Sequence, residues 1–375
     1  MKNIGKYFMV LIFVIIGMFC GIIIQKVAST MFTGTESIEF VLLIYVFLFV
    51  MMYVGIVLQI AIHEAGHLVF GLLTGYHFVS YRIFSWIWIK QNDKIVLKRF
   101  NLGGTGGQCL LNPPGDINDD YPVILYNLGG SIMNLFTALV FFILARVFAG
   151  QPIVWASFLM LAISGLGFGI ANGIPVRMVV NNDGWNTLDL IRNPMAKRAF
   201  WVQMKVAALT SNDVPLNKMP AEWFAIPEDK DLKNGIVTYI ATAAADRLIY
   251  EGKEDEAYAL RKDLLAKDTG MPELFRLLMK EENIFYELTH DYPLDDIKNA
   301  HDPQFTKSIR PFLTMLNVIK TECIYALVVE NDIDKANMLQ QQFDKVADSY
   351  PYAVEIHLER SLLDQALFQF GYHAL

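Results

Sequence analysis

Four long apolar stretches constrain the fold of this chain more than any other feature. They cover residues 7–24, 40–62, 121–148 and 152–175, and Arg146 is the only charged residue within them. About 20 consecutive apolar residues are enough for a helix to cross a lipid bilayer. The sequence therefore predicts a polytopic membrane core of about four spanning helices.

The first apolar stretch has two interpretations. It follows Lys2 and Lys6, as a cleaved secretory signal would, but its uninterrupted apolar length is typical of a retained anchor helix. Cys20 does not indicate a lipoprotein, because the bulky Phe19 precedes it. We favour a retained anchor and keep the cleaved signal as the alternative.

The two halves of the chain differ in charge. Up to Trp185 there are 10 lysines and arginines against 8 aspartates and glutamates, and beyond it there are 21 against 30. The second half is thus predicted to be soluble and acidic, and an acidic surface argues against nucleic acid as a partner. The three cysteines lack CxxC spacing, so neither a disulfide framework nor a thiolate zinc site is indicated.

The second apolar stretch runs on into AIHEAGHLVFGLL, at residues 61–73. A single helix over residues 40–74 would be too long for one perpendicular span. It should therefore tilt, kink or divide into two helices, and Gly55 and Gly66 are the candidate break points.

Between the second and third stretches the pattern changes to strands. Aromatic and β-branched residues cluster in residues 78–100 around the turn-prone Gln91-Asn92-Asp93, which predicts a β-hairpin at the membrane surface. The following LGGTGGQCLLNPPG, residues 102–115, is predicted to be irregular.

The soluble half contains a repeated pattern. LIYEGKEDEAYAL (248–260) and LVVENDIDKANML (327–339) each read as a helix end, a polar turn and a new helix with a buried alanine, Ala257 or Ala336. This predicts helical hairpins of a tetratricopeptide-like kind, with a plain helical bundle as the alternative. The predicted fold is mostly α, with an N-terminal anchor and loop (1–38), a membrane core (39–190) and a cytosolic helical domain (191–375).

Basic residues predict the orientation in the membrane. Lysines and arginines precede the first helix, lie in the hairpin and follow the fourth helix, whereas Lys26 and Arg146 are exceptions. Because cytoplasmic loops carry the excess of positive charge, the N-terminus, the hairpin and the C-terminal half are all predicted to be cytoplasmic.

The motif HEAGH places ionisable groups inside an apolar segment. On a helix His63 and His67 project from one face, four residues apart, so both imidazoles can bind one Zn²⁺, and Glu64 can take a proton from a water on that ion. The alternative is three polar residues packed inside a helical bundle. Because ionisable groups are costly in a membrane without a metal or a water-lined cavity, the functional interpretation is favoured.

A catalytic zinc site needs a third protein ligand. The extended motif HExxHxxGxxH would require Gly at position 70 and His at position 73, where this chain has Phe70 and Leu73. A downstream glutamate ligand is also disfavoured, because no glutamate occurs between Glu64 and Glu222. His77, a few early aspartates and Asp183 remain as candidates.

Asp183 lies in ANGIPVRMVVNNDGWN, at the end of the fourth apolar stretch. With HEAGH before it, this Asn-x-x-Pro…Asp-Gly element resembles the site-2 protease family of intramembrane zinc metalloproteases. The segment GGSIMN, residues 129–134, is similar to the family's Gly-Pro-x-x-Asn element. The resemblance covers roughly residues 40–190. It implies that His63, His67 and Asp183 bind zinc, that Glu64 is the general base, and that Asn172 positions the substrate.

The expected function is therefore cleavage of transmembrane or membrane-associated peptides by a zinc endopeptidase of the cell membrane, near its cytoplasmic face. The expected partners are the substrate, the lipid bilayer and a protein bound by the C-terminal helices. A catalytically silent membrane adaptor with a structural zinc site is the alternative, although retention of Glu64 counts against it. A transporter-like bundle is a third possibility, and the lack of repeated halves counts against that one.

Overall fold

The fold is known from a computed structural model that describes residues 2–32, 34, 36–100, 106–117, 120–177 and 181–372. Within these residues the chain forms fourteen α-helices and one small antiparallel sheet, so the mostly α prediction is confirmed. By its internal contacts the chain divides into two compact units. The first comprises Met1–His77, Gly107–Cys109 and Asp120–Asn193, and the second comprises Phe78–Gly106, Leu110–Asp119 and Pro194–Leu375.

Four helices of the described chain are long and apolar enough to cross a membrane. They are α1 (Lys2–Met31), α2 (Ile38–Leu73), α3 (Ile124–Val147) and α4 (Pro152–Gly173). Side chains of α1, α2 and α4 form a common buried core that contains Ile16, Leu48 and Met160. Many other apolar side chains of these helices are exposed on the outside of the bundle, as expected for helices that face lipid.

Helix α2 is continuous, so of the three alternatives the division into two helices at Gly55 or Gly66 does not occur. It has 36 residues and is capped by Ser37, whose hydroxyl accepts a hydrogen bond from the Phe40 backbone N–H at 3.3 Å. At 1.5 Å per residue the helix is about 54 Å long, well above the roughly 30 Å of a bilayer core. It therefore has to tilt or to project from the membrane.

The glycines of α2 and α3 serve packing. A Cβ atom built on Gly66 would lie 2.3 Å from the carbonyl oxygen of Gly129, and one on Gly129 would lie 2.6 Å from the carbonyl oxygen of Gly66. Only glycine at both positions lets the two backbones touch, as is common where small residues line a helix crossing in a membrane. This crossing holds the HEAGH segment directly against α3.

The sheet extends the predicted hairpin. Its strands are β1 (His77–Ile83), β2 (Trp86–Gln91), β3 (Lys94–Arg99) and β4 (Gly107–Asn112), in the order β3-β2-β1-β4. Asn92 and Asp93, both with positive φ, form the tight turn between β2 and β3, as the sequence predicts. Strand β4 lies within residues 102–115, so the prediction of an irregular segment is wrong there. Its residues pair with a neighbouring strand despite the flanking glycines and prolines; residues 101–105 lie outside the described part.

The hairpin packs on helices of its own unit. Ile87 and Ile89 on one face of β2 are buried in the core that the C-terminal helices share. The Gln91 side chain donates a hydrogen bond to the Pro351 carbonyl at 2.7 Å, and the Phe100 ring meets the Tyr350 ring edge-on at 5.4 Å. The hairpin therefore belongs structurally to the second unit.

Ten further helices complete the described chain. They are α5 (Asp183–Arg192), α6 (Pro194–Thr210), α7 (Thr238–Tyr250), α8 (Glu254–Ala266), α9 (Glu273–Thr289), α10 (Leu294–Ala300), α11 (Pro303–Ile309), α12 (Leu316–Val328), α13 (Ile333–Ala347) and α14 (Ala353–Gln369). The two predicted turns separate α7 from α8 and α12 from α13. Ala257 and Ala336 are fully buried, as predicted. The tetratricopeptide-like character of these pairs stays a prediction.

Candidate metal centre

Helix α2 presents His63 and His67 on the face that packs against α3. Each residue is 9% exposed, and their Nε2 atoms are 3.2 Å apart. Asp183, the first residue of α5, brings its Oδ2 atom to 2.9 Å from His63 Nε2 and 3.5 Å from His67 Nε2. The structure thus brings together three of the residues that the sequence singles out, and together they form a possible metal-binding group.

The spacing of these three atoms can be compared with that of a zinc ion's ligands. Ligands at about 2.0–2.1 Å from a tetrahedral Zn²⁺ lie about 3.3–3.4 Å from one another. The observed separations of 2.9, 3.2 and 3.5 Å bracket this value. The donor set of two imidazoles and one carboxylate is also among those that zinc prefers.

Hydrogen bonds on the far side of each imidazole fix its tautomer. The Asn134 amide group donates to the Gln59 backbone carbonyl at 3.0 Å and to the Gln59 side-chain oxygen at 2.7 Å. Its own oxygen is therefore left to accept from His63 Nδ1–H, at 2.7 Å. His67 Nδ1 lies 2.7 Å from the Tyr126 carbonyl, which can only accept, so this Nδ1 is protonated as well.

Both Nε2 atoms therefore direct lone pairs towards Asp183. Asp183 Oδ2 is buried and has no hydrogen-bond donor in the described part of the chain. Three unprotonated atoms that face one another at this distance repel unless a cation lies between them. The residues present thus fit a bound divalent cation.

Asn134 also explains how the apolar bundle accommodates polar groups. An asparagine inside an apolar helix needs a polar partner, and the structure supplies His63 and Gln59, with Asn134 and Gln59 both fully buried. The Gln59 amide in turn donates to the Leu161 carbonyl on α4 at 3.2 Å. This chain of hydrogen bonds ties α2, α3 and α4 together and holds the His63 ring in place.

Asn182 positions Asp183. Its side-chain oxygen caps α5 by accepting from the Trp185 N–H at 2.9 Å, and its amide group donates to the carbonyls of Ala171 at 2.8 Å and Ile174 at 2.6 Å. The start of α5 is therefore fastened to the end of α4. A Cβ on Gly184 would lie 2.3 Å from the Gly173 carbonyl oxygen, so the Asp-Gly pair is needed for this close approach.

Glu64 lies beside strand β4. A Cβ on Gly107 would fall 2.6–2.9 Å from the Cγ, Cδ and Oε1 atoms of Glu64, so the glycine leaves room for the carboxyl group. Glu64 is half-buried. Such a carboxylate, next to a candidate metal ligand and not enclosed, can exchange protons with a bound water.

Two other candidates lie outside the cluster. The Asn172 amide donates to the Phe168 carbonyl of its own helix at 3.1 Å, and its role as a substrate-positioning residue stays a prediction. His77 is the exposed first residue of β1 and is not part of the metal-binding group.

Gln59 and Asn182 are missed by the sequence reasoning, although each carries a signal. Gln59 is a polar residue four positions before His63, on the same helix face of an apolar segment. Asn182 precedes a helix start, where asparagine is a favoured cap. The Tyr126 carbonyl that orients His67 is a backbone group and leaves no trace in the sequence.

Comparison of this chain with protein-family models, with curated proteins and with solved structures finds no match. The chemistry of the site is therefore inferred from its own geometry.

Proposed function

We propose that this protein is a membrane-embedded zinc hydrolase. Within that class, it is an intramembrane endopeptidase of the site-2 protease kind. The observation that carries the proposal is the convergence of His63, His67 and Asp183, with atoms 2.9–3.5 Å apart, on helices of an apolar bundle and next to Glu64.

The ligand side chains have the access that a catalytic site requires. The side chains of His63 and His67 are 11% exposed and that of Asp183 is 21% exposed, so the cluster is not sealed. Three protein ligands with an open position are typical of catalytic zinc, whereas structural zinc usually has four protein ligands. This supports an enzyme over a silent adaptor.

The division of roles follows from the donor groups. His63, His67 and Asp183 would hold the zinc, with Asn134 and the Tyr126 carbonyl keeping both imidazoles in the ligating tautomer. When bound, zinc polarises a peptide carbonyl and lowers the pKa of its water towards about 7. Glu64 would accept the proton of the attacking water. Asn172 would contact the substrate backbone.

A membrane setting narrows the substrate class. Peptide groups in lipid are protected inside helices, so a bond can be cut only where the substrate unwinds and water reaches it. The substrate would therefore be a transmembrane or membrane-associated peptide with a segment that unwinds readily, cleaved near the cytoplasmic face of the cell membrane.

The outer face of the hairpin supports its placement at the membrane surface. Trp86 and Trp88 alternate with the buried Ile87 and Ile89 of β2, and Ile95 and Leu97 lie on either side of the half-buried Val96 of β3. These two tryptophans, Ile95 and Leu97 are 39–62% exposed. Exposed tryptophans among aliphatic side chains are typical of the interface between lipid and water. The basic residues of the same hairpin then favour its cytoplasmic side, with the N-terminus and the C-terminal helices on that side as well.

The proposal is tested with the full chain in detergent, by measuring zinc content and cleavage of a single-span peptide. Glu64→Gln should keep zinc and lose activity by about 10²–10⁴-fold, because the general base is removed. Asp183→Ala should lose the zinc bound by His63 and His67, and the activity with it. Glu39→Gln, the same change at an exposed position of α2, should resemble the wild type.

Two outcomes contradict the proposal. Undiminished cleavage by Glu64→Gln would exclude the mechanism. Zinc in the wild type, reduced by Asp183→Ala, together with no cleavage of any single-span peptide would favour the adaptor with a structural zinc site.

A further inference from the structure

A second group of metal-binding side chains lies in the helical unit, far from the HEAGH motif in sequence. It consists of Glu281 on α9, His301 immediately after α10, and Glu322 on α12, and one ligand atom from each lies within 4.8 Å of the others. His301 Nε2 and Glu322 Oε1 are only 2.6 Å apart. The three residues show no motif spacing, so only the fold brings them together.

Glu281 is the unusual member of this group. It is fully buried, and neither carboxyl oxygen has a hydrogen-bond partner in the described part of the chain. A buried carboxylate without a partner costs several kcal/mol, so proteins retain one only where a cation or a proton compensates. Its presence within reach of two other ligating side chains points to a bound species between them.

The tautomer of His301 favours a cation. The Thr306 hydroxyl lies 3.0 Å from the Asp302 carbonyl, to which it can donate, and it can then accept from His301 Nδ1–H at 3.3 Å. Nε2 then faces Glu322 with its lone pair, unless it carries a second proton. The ring is held by stacking on Tyr325 at 4.0 Å, so it cannot turn away.

The lysine whose charge acts on Glu281, Lys320, is already paired with other carboxylates. Lys320 Nζ lies 3.3 Å from Glu282 and 2.8 Å from Glu359, so its charge is shared by two other carboxylates. Ionised Glu281 and Glu322 would place two negative charges in the interior. One divalent cation with a neutral imidazole would balance them completely.

We propose that Glu281, His301 and Glu322 bind a divalent transition-metal cation that ties α9, the α10–α11 connection and α12 together. Two carboxylates and one imidazole suit Zn²⁺ or Mn²⁺, whereas Ca²⁺ takes six to eight oxygens and Mg²⁺ keeps several waters. All three residues are less than 9% exposed, which leaves no route for a substrate. The site is therefore structural and independent of the membrane site.

Zinc stoichiometry of the full chain tests this directly. The wild type should bind two equivalents, and Asp183→Ala should keep one, which measures the second site without touching it. Glu281→Gln should also keep one equivalent, because the neutral amide has the same shape but is a much weaker ligand. His301→Gln, an independent change at the same site, should likewise keep one equivalent. The matched control is Glu273→Gln, an exposed residue at the start of α9.

Thermal unfolding before and after chelation separates a metal from a proton. If Glu281 binds a metal, chelation should lower the Tm of Asp183→Ala but not that of Asp183→Ala/Glu281→Gln. If Glu281 is simply protonated, Glu281→Gln should leave both zinc content and Tm unchanged, and the inference is overturned.

The two metal proposals fail separately. A single wild-type equivalent that Glu281→Gln keeps and Asp183→Ala loses would contradict only the proposed site in the helical unit. A single wild-type equivalent that Asp183→Ala keeps and Glu281→Gln loses would contradict only the proposed membrane site.

Discussion

Gly130→Ala should weaken zinc binding although the residue carries no ligand. Gly130 lies on α3, where an added Cβ would fall 2.5 Å from Cε1, 2.6 Å from Nδ1 and 2.7 Å from Nε2 of the His63 ring. Ordinary contacts of this kind begin at 3.4 Å, so the ring would have to retreat by nearly 1 Å. The ring cannot slide freely, because its Nδ1–H is bonded to the buried Asn134.

The size of the effect follows from the geometry of zinc ligation. Zinc–nitrogen distances are tolerated within about 0.2 Å, so a displacement several times larger removes or strains one of three protein ligands. Changing a residue that merely orients a ligand already lowers affinity about 10–100-fold. We therefore expect at least a tenfold loss of zinc affinity and a matching loss of cleavage at limiting zinc.

The assay is zinc competition against a chelator of known affinity, in a chain that also carries Glu281→Gln so that only the membrane site is counted. Gly21→Ala on α1 is the matched control, because a Cβ there meets nothing within 4 Å. Both changes favour helix formation by about 1 kcal/mol, so a difference between them is local to the site. Unchanged zinc affinity in Gly130→Ala would refute the packing of His63 against α3.

Two further predictions concern the tether of the third ligand and a buried acid. Asn182→Ala should lower zinc affinity about 10–100-fold with Glu64 intact, because the cap of α5 and its two bonds to the end of α4 are lost; full zinc affinity in chelator competition would contradict this role. Burial, and repulsion from Glu359, raise the pKa of Glu355 to about 7 from its ordinary value of 4.5, so its contribution to stability is fully present below pH 4.5 and is lost as the pH rises through about 7. Relative to wild type, Glu355→Gln should therefore gain up to about 3 kcal/mol between pH 4.5 and 8, at about 1.4 kcal/mol per pKa unit, and a difference in Tm that does not vary with pH would disprove the shift.

Local sequence was sufficient for much of the architecture. The apolar stretches identify the spanning helices, and the Asn-Asp turn identifies the β2–β3 hairpin, because both signals depend only on neighbouring residues. Likewise HEAGH alone places two imidazoles on one helix face. The continuity of α2 was not predictable in the same way, since a helical glycine weakens a helix only slightly and packing at the Gly66–Gly129 crossing compensates.

The location of β4 shows where local signals fail. Its segment is bordered by glycines and prolines, which usually indicate a loop, yet it completes the edge of the sheet. Strand pairing is decided by the partner strand, and a partner is not visible in a short window of sequence.

The sequence by itself determined that the chain has an apolar helical core, an acidic helical half and a pair of histidines suited to one metal ion. The residues alone left several candidates for the third ligand and only a family resemblance implied Asp183; the tertiary structure brings Asp183 to those histidines, because Asn182 and Gly184 fasten α5 to the end of α4. It alone also brought Glu281, His301 and Glu322 together. Helix periodicity acts over a few residues, whereas a metal site is assembled from side chains that are distant in sequence and close only after packing.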